Sequence, residues 1–351
     1  MLFYCLFLLK NVMIYRLLSI LIFIFSTDFL VISILNFTLY ISSHMDVTHI
    51  EYESGNNKNT TGNAIGGNME KAALQSVEQL ALKKQKIFND SIVKYLLRAI
   101  LASGFVGFGV IIAFKTGNLF YLDHNPMAYP IAAITFGTAI LLIAYGGGDL
   151  FTGNTFYFTY AALNGKMKWL KVLQMWCTTY LGNLIGALIF AYFIYLTGLF
   201  DSPSVNSFLM STAEAKMNAP ISELFFRAIL CNWLVCLAFY IPMTVKGDGP
   251  KIFIMLFFVF GFFISSYEHS IANMGTFSVA LLHDHPDTIS WSLAIRNLIP
   301  VTLGNIVGGA VFMGMLYKYL NSPKSTEEDG ADKDGNETLT EEASVLKAVD
   351  K

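Results

Sequence analysis

Charge is what this sequence has least of. Only 14% of its 351 residues are Asp, Glu, Lys or Arg, against roughly 25% in a soluble domain. With 54% hydrophobic residues and a mean hydropathy of +0.53, the composition excludes an ordinary soluble fold and predicts an integral membrane protein. A surplus of positive charge is also missing: the net charge is −2 and no basic patch stands out, so nothing points to nucleic acid. The four cysteines, Cys5, Cys177, Cys231 and Cys236, lie in apolar segments. They show neither metal-ligand nor disulfide-framework spacing. They are expected to be small buried packing residues, and no metal or cofactor is expected.

What is present is long apolar runs, two of them interrupted by polar groups. The run 251–282 contains Ser265-Ser266-Tyr267-Glu268-His269-Ser270-Ile271-Ala272-Asn273-Met274-Gly275. Ionisable groups in hydrocarbon cost ~2.5–3.5 kcal/mol each on insertion scales and usually face a cavity or a partner. The run is also longer than the ~20 residues a spanning helix needs. A helix that breaks at mid-membrane and restarts would use the surplus, and broken backbone at that depth is tolerated only where it is buried or lines a cavity. The run 128–162 has the same character. In its middle stand Gly146-Gly147-Gly148-Asp149-Leu150-Phe151-Thr152-Gly153-Asn154, whose glycines favour a loop.

Taken in order, residues 1–43 are strongly apolar, broken by Lys10, Arg16 and Asp28. Three readings stand for them: one or two spanning helices, a signal-like segment without a small-residue cleavage site, or a stretch upstream of a start at Met45 or Met69. Residues 44–68 read as a disordered linker. From Met69 to Phe88, Ala73, Val77, Leu80 and Ala81 recur at helical spacing among lysines, which predicts an amphipathic helix on the membrane surface. Six spans are expected at about 94–114, 128–162, 169–197, 222–245, 251–282 and 296–319, by the length a span needs. They complete a membrane domain over 69–320, and 321–351 form a solvated tail. Lys83, Lys84, Lys86, Lys94 and Arg98 precede the first span, Lys166, Lys168 and Lys171 follow the second, Lys246 and Lys251 the fourth, and Lys318 and Lys324 the sixth. The alternate loops hold Lys115, Lys216 and Arg296. Both termini of the six-span domain are therefore expected in the cytoplasm, in a plasma-membrane protein.

The first three spans repeat in the last three. Arg98-Ala99-Ile100-Leu101 recurs as Arg227-Ala228-Ile229-Leu230, and Asp149 with Asn154 as Glu268 with Asn273. Leu181-Gly182-Asn183-Leu184-Ile185-Gly186 recurs as Leu303-Gly304-Asn305-Ile306-Val307-Gly308. An odd number of spans per copy makes the second copy inverted, and inverted repeats with broken helices place a permeation site where the breaks meet. On this overlay Leu150 falls opposite His269 and Thr152 opposite Ile271.

Four strings carry a resemblance: Asp149-Leu150-Phe151-Thr152-Gly153-Asn154, Cys231-Asn232-Trp233-Leu234-Val235-Cys236-Leu237-Ala238, Tyr267-Glu268-His269-Ser270-Ile271-Ala272-Asn273-Met274 and Val301-Thr302-Leu303-Gly304-Asn305. Over about 70–320 the sequence resembles the formate/nitrite transporters, with wording nearer the nitrite branch. The apolar segment 1–43 has no counterpart in that pattern. The resemblance implies an aquaporin-like, six-helix all-α protomer, assembly as a homopentamer in the lipid bilayer, and passage of small monovalent anions.

It also implies roles for residues. His269 is the expected proton donor: an anion beside a buried imidazole favours its charged form, and handing over the proton leaves two neutral species. The plainer alternative is a histidine that only bonds the broken backbone. Thr152 and Asn232 match polar contacts near that ring, against a loop-satisfying hydroxyl and helix–helix glue respectively. Lys216, in an outer loop, matches a lysine that would draw anions to the mouth in a salt-dependent way. Phe136, Ile140 and Phe262 match constriction positions, which Leu150 joins by the overlay, and apolar rings exclude hydrated ions. Asp149 and Glu268 are expected to accept from the N–H groups each break exposes, and Asn183 and Asn305 to tether the broken helices.

Two other readings compete. An aquaporin-like pore for neutral solutes is disfavoured because paired Asn-Pro-Ala loops are missing. An intramembrane hydrolase using Glu268 and His269 is disfavoured because the sequence has neither a His-Glu-x-x-His string nor a Gly-x-Ser-x-Gly turn.

Overall fold

The computed structural model describes residues 60–322. The apolar segment 1–43, the linker up to residue 59 and the tail from 323 onward lie outside the described residues. Among the described residues every regular element is helical. Within the described residues five stretches are long and apolar enough to cross a membrane: Ile92–Tyr121, Ala128–Gly146, Trp169–Leu196, Ile221–Thr244 and Trp291–Leu320, with Ser270–Leu282 as a shorter apolar helix.

Helix α1 (Thr60–Asp90) begins nine residues before the expected start at Met69, inside the segment read as linker. Its apolar stripe does not lie on a lipid surface. Ala73, Leu74, Val77 and Ala81 are buried in a cluster with Tyr95, Phe156, Tyr157 and Met175, so the stripe is covered by the bundle itself. Helix α2 (Ile92–Tyr121) is capped by Ser91, whose side chain accepts from Lys94 N–H.

The second expected span is three helices, α3 (Ala128–Phe136), α4 (Thr138–Gly146) and α5 (Phe151–Leu163). The fifth is α9 (Asp248–Ile264) and α10 (Ser270–Leu282), interrupted over Ser265–His269 only. Between them in sequence come α6 (Trp169–Leu196), α7 (Pro203–Asn218) and α8 (Ile221–Tyr240). Last stand α11 (Trp291–Ile306), a π-helical segment Val307–Met315 and α12 (Leu316–Leu320).

Both major interruptions turn on one left-handed residue, at positions the sequence repeat makes equivalent. Gly147 has φ 74° and Ser266 φ 54°. Glycine takes that conformation freely, whereas a residue with a Cβ pays roughly 1–2 kcal/mol, so the second break is held against its own preference. The repeated Leu-Gly-Asn strings serve close packing. A Cβ on Gly186 would overlap the carbonyl of Ile100, and one on Gly308 that of Ile229. These glycines let α6 meet α2, and α11 with its π-helical continuation meet α8, at backbone distance.

Two further expectations fail. Lys216 is expected in an outer loop, yet it belongs to α7, which is opened by a Ser202 cap and Pro203 in its first turn, a start signal present in the sequence. Cys177 is exposed, while Cys231 and Cys236 are buried.

Candidate functional site

At each break an asparagine from another helix meets the backbone groups that the interruption leaves unpaired. Asn183 Oδ1 accepts from Phe151 N–H (3.0 Å), and its Nδ2 donates to the carbonyls of Ala99 (2.7 Å) and Asp149 (3.0 Å). The adjoining peptides pair too: Asp149 N–H donates to Arg98 O (3.1 Å) and Glu268 N–H to Arg227 O (3.5 Å). These bonds rigidify the two turns from which the functional side chains project.

His269 closes the second break as the cap of α10, with extended backbone (φ −114°, ψ 113°). Ala272 N–H donates to its Nδ1 (3.1 Å), and Nε2 stands 3.0 Å from Thr152 Oγ1 on the first half-helix. A nitrogen that accepts a backbone hydrogen bond carries no proton, so the ring is neutral with its hydrogen on Nε2. A charged ring would carry a second proton on Nδ1 in place of the Ala272 bond. Thr152 therefore reaches the imidazole, as a partner of Nε2.

Three cavities succeed one another, sharing walls. The largest, about 430 Å³, is lined by Lys83, Lys84, Arg98, Asp149, Asp248 and Lys251 among apolar groups. It shares Ile143, Leu150 and Phe239 with a chamber of about 20 Å³. That chamber shares Phe136, Phe262 and His269 with a third, of about 30 Å³, reached by Lys216 and Thr212. Among the described residues, His269 is the one polar residue in the lining of the small chamber, which also holds Ile140. Its volume is room for one or two waters. The Phe262 ring stacks on the imidazole at 5.9 Å and 22°, and meets Phe136 edge-on at 5.9 Å. The four expected constriction residues thus gather around His269, together with Ile143, Val259 and Phe239, which the sequence does not mark among its many apolar residues.

The carboxylates act differently from expectation. Their N–H-accepting role belongs to the asparagines, and the acids pair with lysines instead. Asp149, 1% exposed, lies 2.7 Å from Lys84 Nζ of α1, and Arg98 Nε lies 3.4 Å from it. Lys84 also donates to Asn154 Oδ1 at 2.7 Å. Glu268, also 1% exposed, accepts from Lys216 Nζ (2.9 Å) and Asn273 Nδ2 (2.6 Å). A buried carboxylate needs such partners to remain ionised. Lys216 is thus no free loop cation: it lies in the last turn of α7 with its side chain 18% exposed. In the sequence Lys84 stands out only as an orienting charge; the Lys-acid-Asn grouping it forms has its counterpart in the second half, which the repeat could have suggested.

Asn232 is fully buried and lines none of these three cavities. Its Nδ2 lies within 3.2 Å of Thr152 O, 3.0 Å of Thr155 Oγ1 and 2.6 Å of Asn305 O. Thr152 is also fully buried and outside the three linings, but its Oγ1 stands 3.0 Å from His269 Nε2, which belongs to the small chamber.

An apolar helical bundle threaded by cavities that meet at broken helices defines a membrane channel or transporter. A family model, Formate/nitrite transporter, matches residues 71–319, and the chain belongs to that family. It is 62% identical over 253 residues to "Uncharacterized transporter YwcJ" of Bacillus subtilis, covering 72% of this chain and 99% of that one. To "Nitrite transporter NirC" of Escherichia coli it is 37% identical over 226 residues, covering 64% of this chain and 82% of that one. Among solved structures it is similar to an "FNT family ion channel" (TM-score 0.67, 31% identity, 72% of this chain and 99% of that one). A "Pentameric formate channel with formate bound" also matches (TM-score 0.54, 26% identity, 66% and 99%).

Proposed function

We propose that this protein passes small monovalent anions, nitrite or formate, together with a proton through the chamber at His269. The observation that carries the reading is that chamber: about 20 Å³, walled by hydrocarbon and aromatic rings, with one imidazole as its only polar lining residue. A hydrated anion cannot enter so small an apolar space. Low dielectric penalises the charged form of any acid, so an anion at the chamber wall takes a proton from water in the adjoining cavity, crosses as the neutral acid and gives the proton back to water on the far side. Nε2–H, which also faces Thr152 Oγ1, offers the solute a hydrogen bond within that chamber. On this reading His269 stays neutral and the proton travels with the solute. The names of the nitrite transporter and formate channel relatives support the choice of anion.

The same reading takes the two halves as inverted repeats in an aquaporin-like protomer, supported by the matched bonding of their breaks. It places both ends of the six-span domain in the cytoplasm of a plasma-membrane protein, where the excess of Lys and Arg lies. It also takes the assembly as a homopentamer, as the formate channel's title states for that protein.

The test is a substrate panel of nitrite, formate, lactate, hydrosulfide and glycerol in proteoliposomes carrying a pH-sensitive dye, across a range of pH. Nitrite and formate should carry protons inward. His269→Gln, which keeps a side-chain N–H without a titrating ring, should retain part of that flux, and His269→Phe should abolish it. Unchanged coupling in His269→Phe, or glycerol flux with no anion-linked proton movement, would overturn the proposal.

A further inference from the structure

Asn232 is fully buried and lies outside the linings of the three cavities. Its amide carries two hydrogens, and three oxygens lie within bonding distance. The direction of these bonds is settled by a neighbour. Thr155 Oγ1 already gives its hydrogen to Thr152 O at 2.6 Å, so its oxygen accepts from Asn232. The remaining atom, Asn232 Oδ1, is met by Cys236 Sγ at 3.7 Å. The same thiol lies 3.8 Å from Thr152 O.

The oxygens it holds belong to both breaks. Thr152 O and Thr155 Oγ1 stand in the first turns of α5. Asn305 O belongs to the residue whose side chain fastens the second break, accepting from Ser270 N–H (2.9 Å) and donating to Glu268 O (2.9 Å). From α8, one amide thus ties the half-helix that carries Thr152 to the tether that seats His269. The backbone is shaped for the knot: a Cβ on Gly309 would overlap Thr155 Oγ1 and come within 2.7 Å of Asn232 Nδ2. The π-helical segment Val307–Met315 can therefore approach only with glycine there.

We infer that Asn232 is a positioning residue, which registers the two broken helices so that Thr152 meets His269 Nε2, and is not a contact for the anion. The inference rests on the reading of the His269 chamber proposed above.

The experiment is a double-substitution cycle on initial proton-coupled formate and nitrite flux in proteoliposomes, using full-length protein whose folded assembly is checked by size. Asn232→Asp keeps the size but replaces both donors with an acceptor. Alone it should lower the maximal rate at least tenfold while KM moves less than twofold. In a Thr152→Val background, where the contact to be positioned no longer exists, the same substitution should cost less than twofold. Gly309→Ala presses on the same knot from the neighbouring segment and should show the same loss of effect beside Thr152→Val, which keeps the test available should Asn232→Asp not assemble. Multiplying losses in the double variants, or a loss that falls on KM, would overturn the inference and make Asn232 a solute contact or simple glue. If neither Thr152→Val nor His269→Phe altered flux, the chamber reading would itself fall, and the inference with it.

Discussion

Asn305 does at the second break what Asn183 does at the first. Its Oδ1 accepts from Ser270 N–H (2.9 Å), and its Nδ2 donates to Ala228 O (2.8 Å) and Glu268 O (2.9 Å). The partners of Asn183 are Phe151, Ala99 and Asp149, the repeat equivalents in each case. Two distant stretches of one chain therefore solve one problem with one side chain, which is how to interrupt a helix in hydrocarbon without stranding its backbone.

Replacing either asparagine by leucine should destabilise the protein by about 3 kcal/mol, because a buried group left without its partner costs roughly 1–3 kcal/mol. Thermal unfolding of the detergent-solubilised protein measures this. The two variants should fall by similar amounts. A large drop in one and none in the other would show that the breaks are not held alike.

Lys216→Met strands the Glu268 carboxylate at a site 1% exposed. Breaking a buried pair costs about 3–5 kcal/mol, more than removing both charges. The expected outcome is a sharp fall in the yield of folded protein, recovered in Lys216→Met with Glu268→Gln. A well-folded single variant whose flux had merely lost its salt dependence would restore the sequence reading of Lys216 as an open-mouth cation.

Leu150→Ala and Phe262→Ala cut into the two walls of the small chamber, one shared with each neighbouring cavity. Widening should admit lactate more readily relative to formate, several-fold at least, with the larger effect at Phe262, since its ring removes more volume. Competition between the two anions in the dye assay reads the ratio. A ratio that stayed constant in both variants would mean that selection occurs elsewhere.

Much of the fold was legible because it rests on local chemistry. The spans followed from hydropathy. The interruption near Gly147 followed from three glycines, and that over Ser265–His269 from excess length with ionisable groups. Other features were hidden for specific reasons. Helix α7 buries Phe208, Leu209, Ala213 and Met217 beside polar residues, a pattern too weak to outweigh its place between two spans. The stripe of α1 looked like a lipid-facing helix, since an amphipathic pattern does not say whether lipid or protein covers it. Ser266 carries no signal for its left-handed turn, because its neighbours impose that conformation. The polar residues were found as candidates, yet their duties were exchanged: asparagines took the exposed N–H groups and the acids took lysines.

From the order of its residues alone, this protein was bound to be a helical membrane bundle with two interrupted spans, since hydrophobicity, glycine and repetition act within a few turns of backbone. Which partner each buried polar group would find was decided only when helices far apart in the chain came together. Lys84 meets Asp149 and Lys216 meets Glu268 across long separations. Ala272, three residues on, settles which nitrogen of His269 bears the hydrogen. Hydrogen bonds and ion pairs depend on distance and direction to within a fraction of an ångström, and that information exists only in the folded arrangement.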